Sequence, residues 1–234
     1  MVKAQEYLDQ NYPKEERINV YDLTINNKNL EGHLDLSDFI NLKGIGCSVN
    51  KLTSIDLTKN KQLEWINCSN NLLTDVDFSC QDPEKLWGID IKNNNLSSRD
   101  LFCFTRFVNL ENLLLGTDDE EKLNQNIYNR FHGSLGYLIN LKKLEELDIN
   151  NTDIDEGLEY LPSDNLEEFY CASKREGARV KEIIDILEIS EEQAGSRSKE
   201  DNHKKVVRII AYQIYVEKYS NETTIIQNWG CSIL

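Results

Sequence analysis

Positive charge is scarce in this chain: 26 Lys and Arg stand against 41 Asp and Glu, a formal net charge of −15 at pH 7. Gripping nucleic acid requires a basic stripe that displaces counterions from phosphate, so the balance excludes a nucleic-acid partner. The shortage is uneven. From Arg175 onward nine basic residues face ten acidic ones, which leaves 17 against 31 before it and places −14 on residues 1–174. Such acidity suits solubility or a basic protein partner. Long apolar runs are also lacking: nowhere do 18 apolar residues follow one another, so no segment reads as a membrane-spanning helix. The stretch Met1–Tyr12 has no apolar run of the secretory kind, and a cytoplasmic location is expected. Histidine is rare, with His33, His132 and His203 in unrelated segments, and no CxxC pair occurs, so no metal site is expected. A phosphate-binding glycine loop, a nucleophile elbow and a Cys/His pair are all missing. No cofactor and no enzymatic activity are expected.

What the chain has instead is a spacing. Apolar residues recur at offsets 0, 3 and 5, followed by Asn at 8 and Leu at 10. The clearest copy is Leu63, Ile66, Cys68, Asn71, Leu73; beside it stand Leu42, Ile45, Cys47, Asn50, Leu52 and Leu86, Ile89, Ile91, Asn94, Leu96. Weaker copies open on Val20, Leu110, Leu144 and Leu166, and the steps between openings are 22, 21, 23, 24, 34 and 22 residues. One such unit cannot bury its own apolar face, so neighbours must stack. Each copy predicts a short strand with alternate side chains turned inward. The Asn at offset 8 sits at a corner, where its amide can both donate to and accept from backbone groups the turn leaves unpaired. Asn50, Asn71 and Asn94 are therefore expected to form a ladder, with Lys28, Asp118 and Thr152 at the equivalent place in the poorer copies. Cys47, Cys68 and Cys171 fall on offset 5, where other copies carry Ile or Leu. They read as small buried hydrophobes and not as disulfide partners.

A period of 20–29 residues with LxxLxLxxNxL resembles the leucine-rich repeat, over about residues 18–174. The early copies are similar to the internalin-like class and residues 129–149 to the plant type. The resemblance implies an α/β solenoid, a curved horseshoe with a parallel sheet on its concave face, and a function in protein–protein recognition through that face. The side chains flanking the strand hydrophobes then line it in two columns: Asp22, Gly44, Trp65, Gly88, Asn112, Glu146, Glu168 and Thr24, Gly46, Asn67, Asp90, Leu114, Asp148, Tyr170. The candidate partner-binding residues are Gly44, Gly46, Trp65, Asn67, Gly88, Asp90, Asn112, Leu114, Glu146, Asp148, Glu168 and Tyr170. Two readings of Trp65 stand open: an exposed plate beside bare glycines that anchors a partner, or an indole folded over Gly44 or Gly88 to shield backbone. Glu146, Asp148, Glu168 and Asp90 form an acidic group, suited to a basic peptide or simply solvated.

The remaining organisation follows from local pattern. Residues 1–17 read as an N-terminal cap with a short helix before Pro13. The outer segments of the early repeats alternate (Leu34 and Leu36, Ile55 and Leu57, Val76 and Phe78), which predicts extended backbone. Ser97–Asp100 followed by Leu101, Phe104 and Val108 predicts a helix. The 34-residue step contains an acidic insertion at 118–128, either a binding element or a disordered loop. Residues 175–234 form a C-terminal tail: a helix over Gly177–Ile189, a polar linker at 190–203 and an ambiguous Val/Ile/Tyr-rich stretch. The final Cys231-Ser232-Ile233-Leu234 resembles a prenylation box, which makes Cys231 a lipidation candidate and membrane association its consequence; an ordinary terminal Cys is the other reading.

Overall fold

A computed structural model describes residues 2–162 and 165–186. The chain begins with strand β1 (Val2–Lys3), helix α1 (Ala4–Asn11) and a 3-10 turn at Lys14–Asn19. Strands β2 (Asp22–Thr24), β3 (Leu30–Asp35), β4 (Gly44–Gly46), β5 (Lys51–Asp56), β6 (Trp65–Asn67), β7 (Gly88–Asp90) and β8 (Asn112–Leu114) follow. Then come helix α2 (Glu120–Asn124) and strands β9 (His132–Ser134), β10 (Glu146–Asp148), β11 (Asp153–Glu156) and β12 (Glu168–Tyr170). The chain coils, so each winding returns a three-residue strand to the side of the previous one. The result is a seven-stranded parallel sheet in the order β2, β4, β6, β7, β8, β10, β12. Register is constant throughout: Asp22 pairs with Gly44, Gly44 with Trp65, Trp65 with Gly88, Gly88 with Asn112, Asn112 with Glu146 and Glu146 with Glu168. The middle residue of every strand, from Leu23 through Ile45, Ile66, Ile89, Leu113 and Leu147 to Phe169, is buried inside the coil.

The corner asparagines account for the backbone groups the turns would otherwise orphan. Asn71 Nδ2 donates to Cys47 O and Cys68 O at 3.0 and 3.1 Å, and its Oδ1 accepts from Leu52 N at 3.0 Å. Asn50 and Asn94 repeat this pattern one winding to either side. The fourth rung corrects the sequence reading. It is Asn129, and not Asp118, whose amide donates to Ile91 O and Leu115 O at 2.8 Å and accepts from Leu96 N at 3.2 Å. The insertion lies ahead of the corner and carries the rung eleven residues further along the chain. It is also ordered. Asp119 accepts from Lys122 N to cap α2, and Lys122 Nζ donates to Asn71 O and Asn93 O at 2.7 and 2.6 Å, clasping the insertion to the ladder.

The outer wall is built differently in different windings. β1, β3 and β5 form one parallel sheet and β9 and β11 another. Residues 74–80, expected to be extended, carry no strand, although Ser97 N and Asn95 N still donate across to Thr74 O and Leu73 O. The helix expected after Asp100 is a single 3-10 turn, Phe102–Phe104. Its buried residues are Leu101, Phe104, Phe107 and Leu110, three apart, because the segment descends as successive i→i−3 turns with three residues per turn. Val108, assigned to the stripe by helical spacing, is 46% exposed for the same reason.

At the open N-terminal end, α1 buries Ala4 and Leu8. Arg17 is fully buried there. It pairs with Asp9 at 2.6 Å and Asp38 at 3.0 Å, donates to Tyr12 O and stacks over Phe39. Cys47 and Cys68 are buried with their sulfurs 3.2 Å apart, as core filling should be. Cys171 departs from expectation: it lies on the last strand-bearing winding and is only half-buried. At the far end, the helix expected from Gly177 begins at residue 181 and is described to 186; Ile183 within it and Val180 in the turn before it are buried. The expected linker at 190–203, the Val/Ile/Tyr-rich stretch and Cys231 lie outside the described residues.

Candidate functional site

The sheet of seven strands presents the two columns of side chains on one continuous face, and the register fixes which neighbours meet. Trp65 decides the first half of it. A Cβ added at Gly44 would overlap the indole at Nε1 and Cε2, and one added at Gly46 would sit 3.4 Å from Cη2. The ring therefore lies flat across β4, reaching from its own strand over both glycines, which are buried beneath it. Of the two readings of Trp65, the structure gives the covering one, over Gly44. Gly88, on the other side, would place a Cβ 3.6 Å from Trp65 Cβ, an ordinary contact. The outer face of the indole remains half-exposed, and exposed Tyr21 and Trp87 stand one residue ahead of β2 and β7. This end of the face is aromatic, and its charges are exposed Asp22 and, one residue ahead of β4 and β6, the paired Lys43 and Glu64.

The other end is acidic, and part of that acid is structural. Asp90 and Asp148 close the turns that follow their strands by accepting from Lys92 N at 3.1 Å and Asn150 N at 2.8 Å; Asn67 does the same for Ser69 N. Asp148 is buried, with Lys92 Nζ 3.6 Å from it and 3.9 Å from Asp118. Burial pushes the carboxyls of Asp90 and Asp148 above the usual value, because desolvation disfavours their charged forms. Burial also opposes the charge on Lys92, but the surrounding carboxylates outweigh it and hold the ammonium above its ordinary pKa. Glu146 is raised by burial and by Glu168 beside it. Glu168 is exposed and accepts from Tyr170 Oη, which lifts that phenol to about 12. Gly116 supports this end from below: an added Cβ would overlap Asp148 Oδ1 and the Asn150 backbone.

The candidate residues therefore separate by exposure. Trp65, Asn67, Asp90, Asn112, Leu114 and Glu146 are half-buried, and Glu168 and Tyr170 are exposed. Gly44, Gly46, Gly88 and Asp148 are buried, and this corrects their selection as contact residues. Gly44 and Gly46 act by admitting the indole, and Asp148 by holding Lys92. Among the described residues no group of His, Cys, Asp and Glu is arranged to hold a metal ion, and no helix is long and apolar enough to cross a membrane.

No family model and no curated protein sequence matches the chain. Solved structures do. The functional domain of InlJ from Listeria monocytogenes, which includes a cysteine ladder, is 25% identical over 67% of this chain and 30% of its own, with a TM-score of 0.47. The ectodomain of the receptor kinase SOBIR1 from Arabidopsis thaliana is 25% identical over 51% of this chain and 60% of its own, with a TM-score of 0.40. The plant peptide hormone receptor RGFR1, solved in complex with RGF2, is 19% identical over 68% of this chain and 29% of its own, at a TM-score of 0.50. The fold is a leucine-rich repeat. The chain spans less than two thirds of the length of these leucine-rich-repeat structures.

Sequence reasoning missed two features of this repeat solenoid. Val49 has a φ of 56°, a positive value taken at the same place in other windings by Asn27, Asn70, Asn93 and Asn151, and it is half exposed. The Asn-rich row was visible in the sequence; Val49 and Thr117 interrupt it, and of the two Val49 keeps the positive φ. Asn60 and Gln81 are buried in the descending turns of two successive windings, at the place Phe39 holds in the winding before Asn60, where Asn60 Nδ2 donates to Leu36 O and Phe39 O and Gln81 Nε2 donates to Leu57 O. Their three-residue spacing from Leu57 and Phe78 would have identified them.

Proposed function

We propose that this chain is an intracellular protein-binding scaffold that takes its partner on the concave sheet. The observation that carries the proposal is the indole of Trp65, held flat and half-exposed on that sheet by two glycines. An aromatic plate fixed in advance loses little entropy on binding and offers a large contact area, as interface anchors do. The partner is a protein segment with an apolar side chain over Trp65 and basic groups toward Glu146 and Glu168. The acidic end steers such a segment on approach, and its contribution weakens with salt. RGFR1, solved in complex with RGF2, supports a recognition role for a solenoid of this kind. Nothing in the arrangement resembles a nucleophile, base and oxyanion donor set, and recognition is favoured over catalysis.

The test is affinity capture from cytosol with the intact chain and with three variants. Gly88→Arg projects a long side chain from the face with room for its Cβ, and should remove the specific partner. Glu146→Lys with Glu168→Lys should remove it too, while the melting temperature of each variant stays near that of the parent. Capture undiminished by both would move the partner surface elsewhere. Trp65→Ala should lose the partner and some stability together, because the same ring covers Gly44.

A further inference from the structure

The outer wall holds a cleft of about 490 Å³ that the concave reading does not use. Three successive windings build it: Asp100 from the first, β9 with the turn after it from the second, and Glu156 at the end of β11 from the third. Its floor is bare at Gly133, where φ is +83° and an added Cβ would meet nothing within 4 Å. Beside it stands an aromatic pair that the core does not claim. Phe102 is 67% exposed, the highest value among the large apolar side chains of the described residues, and its ring meets Tyr137, a cleft residue, edge-on at 6.1 Å. Leaving two rings in water forgoes burial energy, so a partner group that covers them gains what folding did not use.

Charge identifies that group. The neighbouring acids Asp75, Asp153 and Asp155 are each paired, with Arg99, Arg175 and Arg179. Asp100 and Glu156 have no described cation within ion-pair distance, although both line the cleft. Asp100 Oδ1 accepts from Phe102 N at 3.0 Å, which fixes one carboxylate beside the exposed ring. Two open carboxylates next to two ring edges and faces suit a planar, weakly hydrated cation better than a compact ammonium, because a guanidinium can stack and form paired hydrogen bonds at once.

We propose that this outer cleft is a second recognition site, which takes an arginine side chain from a partner protein through Phe102, Tyr137, Asp100 and Glu156. The proposal stands apart from the concave face and does not depend on it.

The probe is a blocked peptide, Gly-Ser-Gly-Arg-Gly-Ser-Gly, titrated into the full chain while backbone amide resonances are followed by NMR. Saturable shifts are expected at Gly133 and Gly136, with those of Gly44 and Gly88 unmoved. The Lys peptide should bind at least about threefold more weakly, and the Gln peptide should not saturate. Phe102→Ala and Glu156→Gln alter exposed side chains, so each should lower affinity about fivefold or more without changing the melting temperature. Asp100→Asn keeps an oxygen for Phe102 N and removes only the charge, and should weaken binding similarly. Trp65→Ala should leave this affinity unchanged. Equal shifts with the Gln peptide, or parental affinity in all three cleft variants, would overturn the proposal.

Discussion

Replacing Asn71 with alanine isolates one rung of the corner ladder, and the structure says what is left behind. Asn71 is fully buried. Cys47 O keeps a donor in Asn50 Nδ2 at 3.0 Å, and Cys68 O keeps one in Asn94 Nδ2 at 3.0 Å. Leu52 N, buried and bonded to Asn71 Oδ1, has no such reserve. An orphaned buried donor costs about 1–3 kcal/mol, and the small void adds about 1 kcal/mol more. The expected loss is therefore about 3 kcal/mol, or roughly 6–12 °C in melting temperature for a chain of this size. Asn50→Ala should cost more, since it orphans both Lys28 N and Leu30 N. Denaturant titration followed by circular dichroism measures both. A loss under about 0.5 kcal/mol for Asn71→Ala, or the reverse ranking of the two variants, would refute the ladder account.

Val49→Asn should raise stability by about 1 kcal/mol, because a β-branched residue is held at a φ of 56° where asparagine is at ease; an unchanged or lower melting temperature would contradict it. Among the described cysteines, under native conditions a thiol reagent should label Cys80 first and Cys103 and Cys171 more slowly, since burial lifts those two thiols to about 11 and about 12; Cys47 and Cys68 should react only on unfolding. Rapid native labelling of Cys47 would show the core assignment to be wrong. Asp148 has a folded-state pKa above 3.8, so the native state binds more protons than the unfolded one in the window just above that value, and acidification through the window stabilises the fold. Parent stability should therefore rise relative to Asp148→Asn as pH falls through it; the opposite slope, read from melts across that range, would refute the burial of this charge.

The strands and their register were legible because they follow from period alone: seven spaced copies define seven stacked strands, and a one-residue slip would turn each set of side chains inside out. Asn129 was missed as a rung because counting along the chain assigns the corner to Asp118, whereas the insertion detours before the corner is reached. Backbone position in space, not sequence offset, decides which amide meets Leu115 O. The pose of Trp65 was left open by the sequence for a related reason. Two glycines next to an aromatic column permit both a bare platform and a covered one, and the close approach of the indole to Gly44 selects the covered one. Asp148 read as an exposed acid because its column faces outward. Gly116 of the preceding winding packs against it, and its partner Lys92 comes from two windings earlier. Cys171 followed the rule for offset 5 only in part, because stacking supplies burial from both sides and β12 ends the sheet.

The claim that the concave sheet is the recognition surface is tested most directly by contact mapping. A photo-activated cross-linking residue placed at Asn112, on an interior strand of the sheet, is compared with the same residue at Ile40, exposed in the turn after β3 and outside both the sheet and the outer cleft. With the captured partner present, cross-links should form from position 112 and be absent from 40, and Gly88→Arg should abolish them. Cross-links from position 40 alone, with none from 112, would contradict the account.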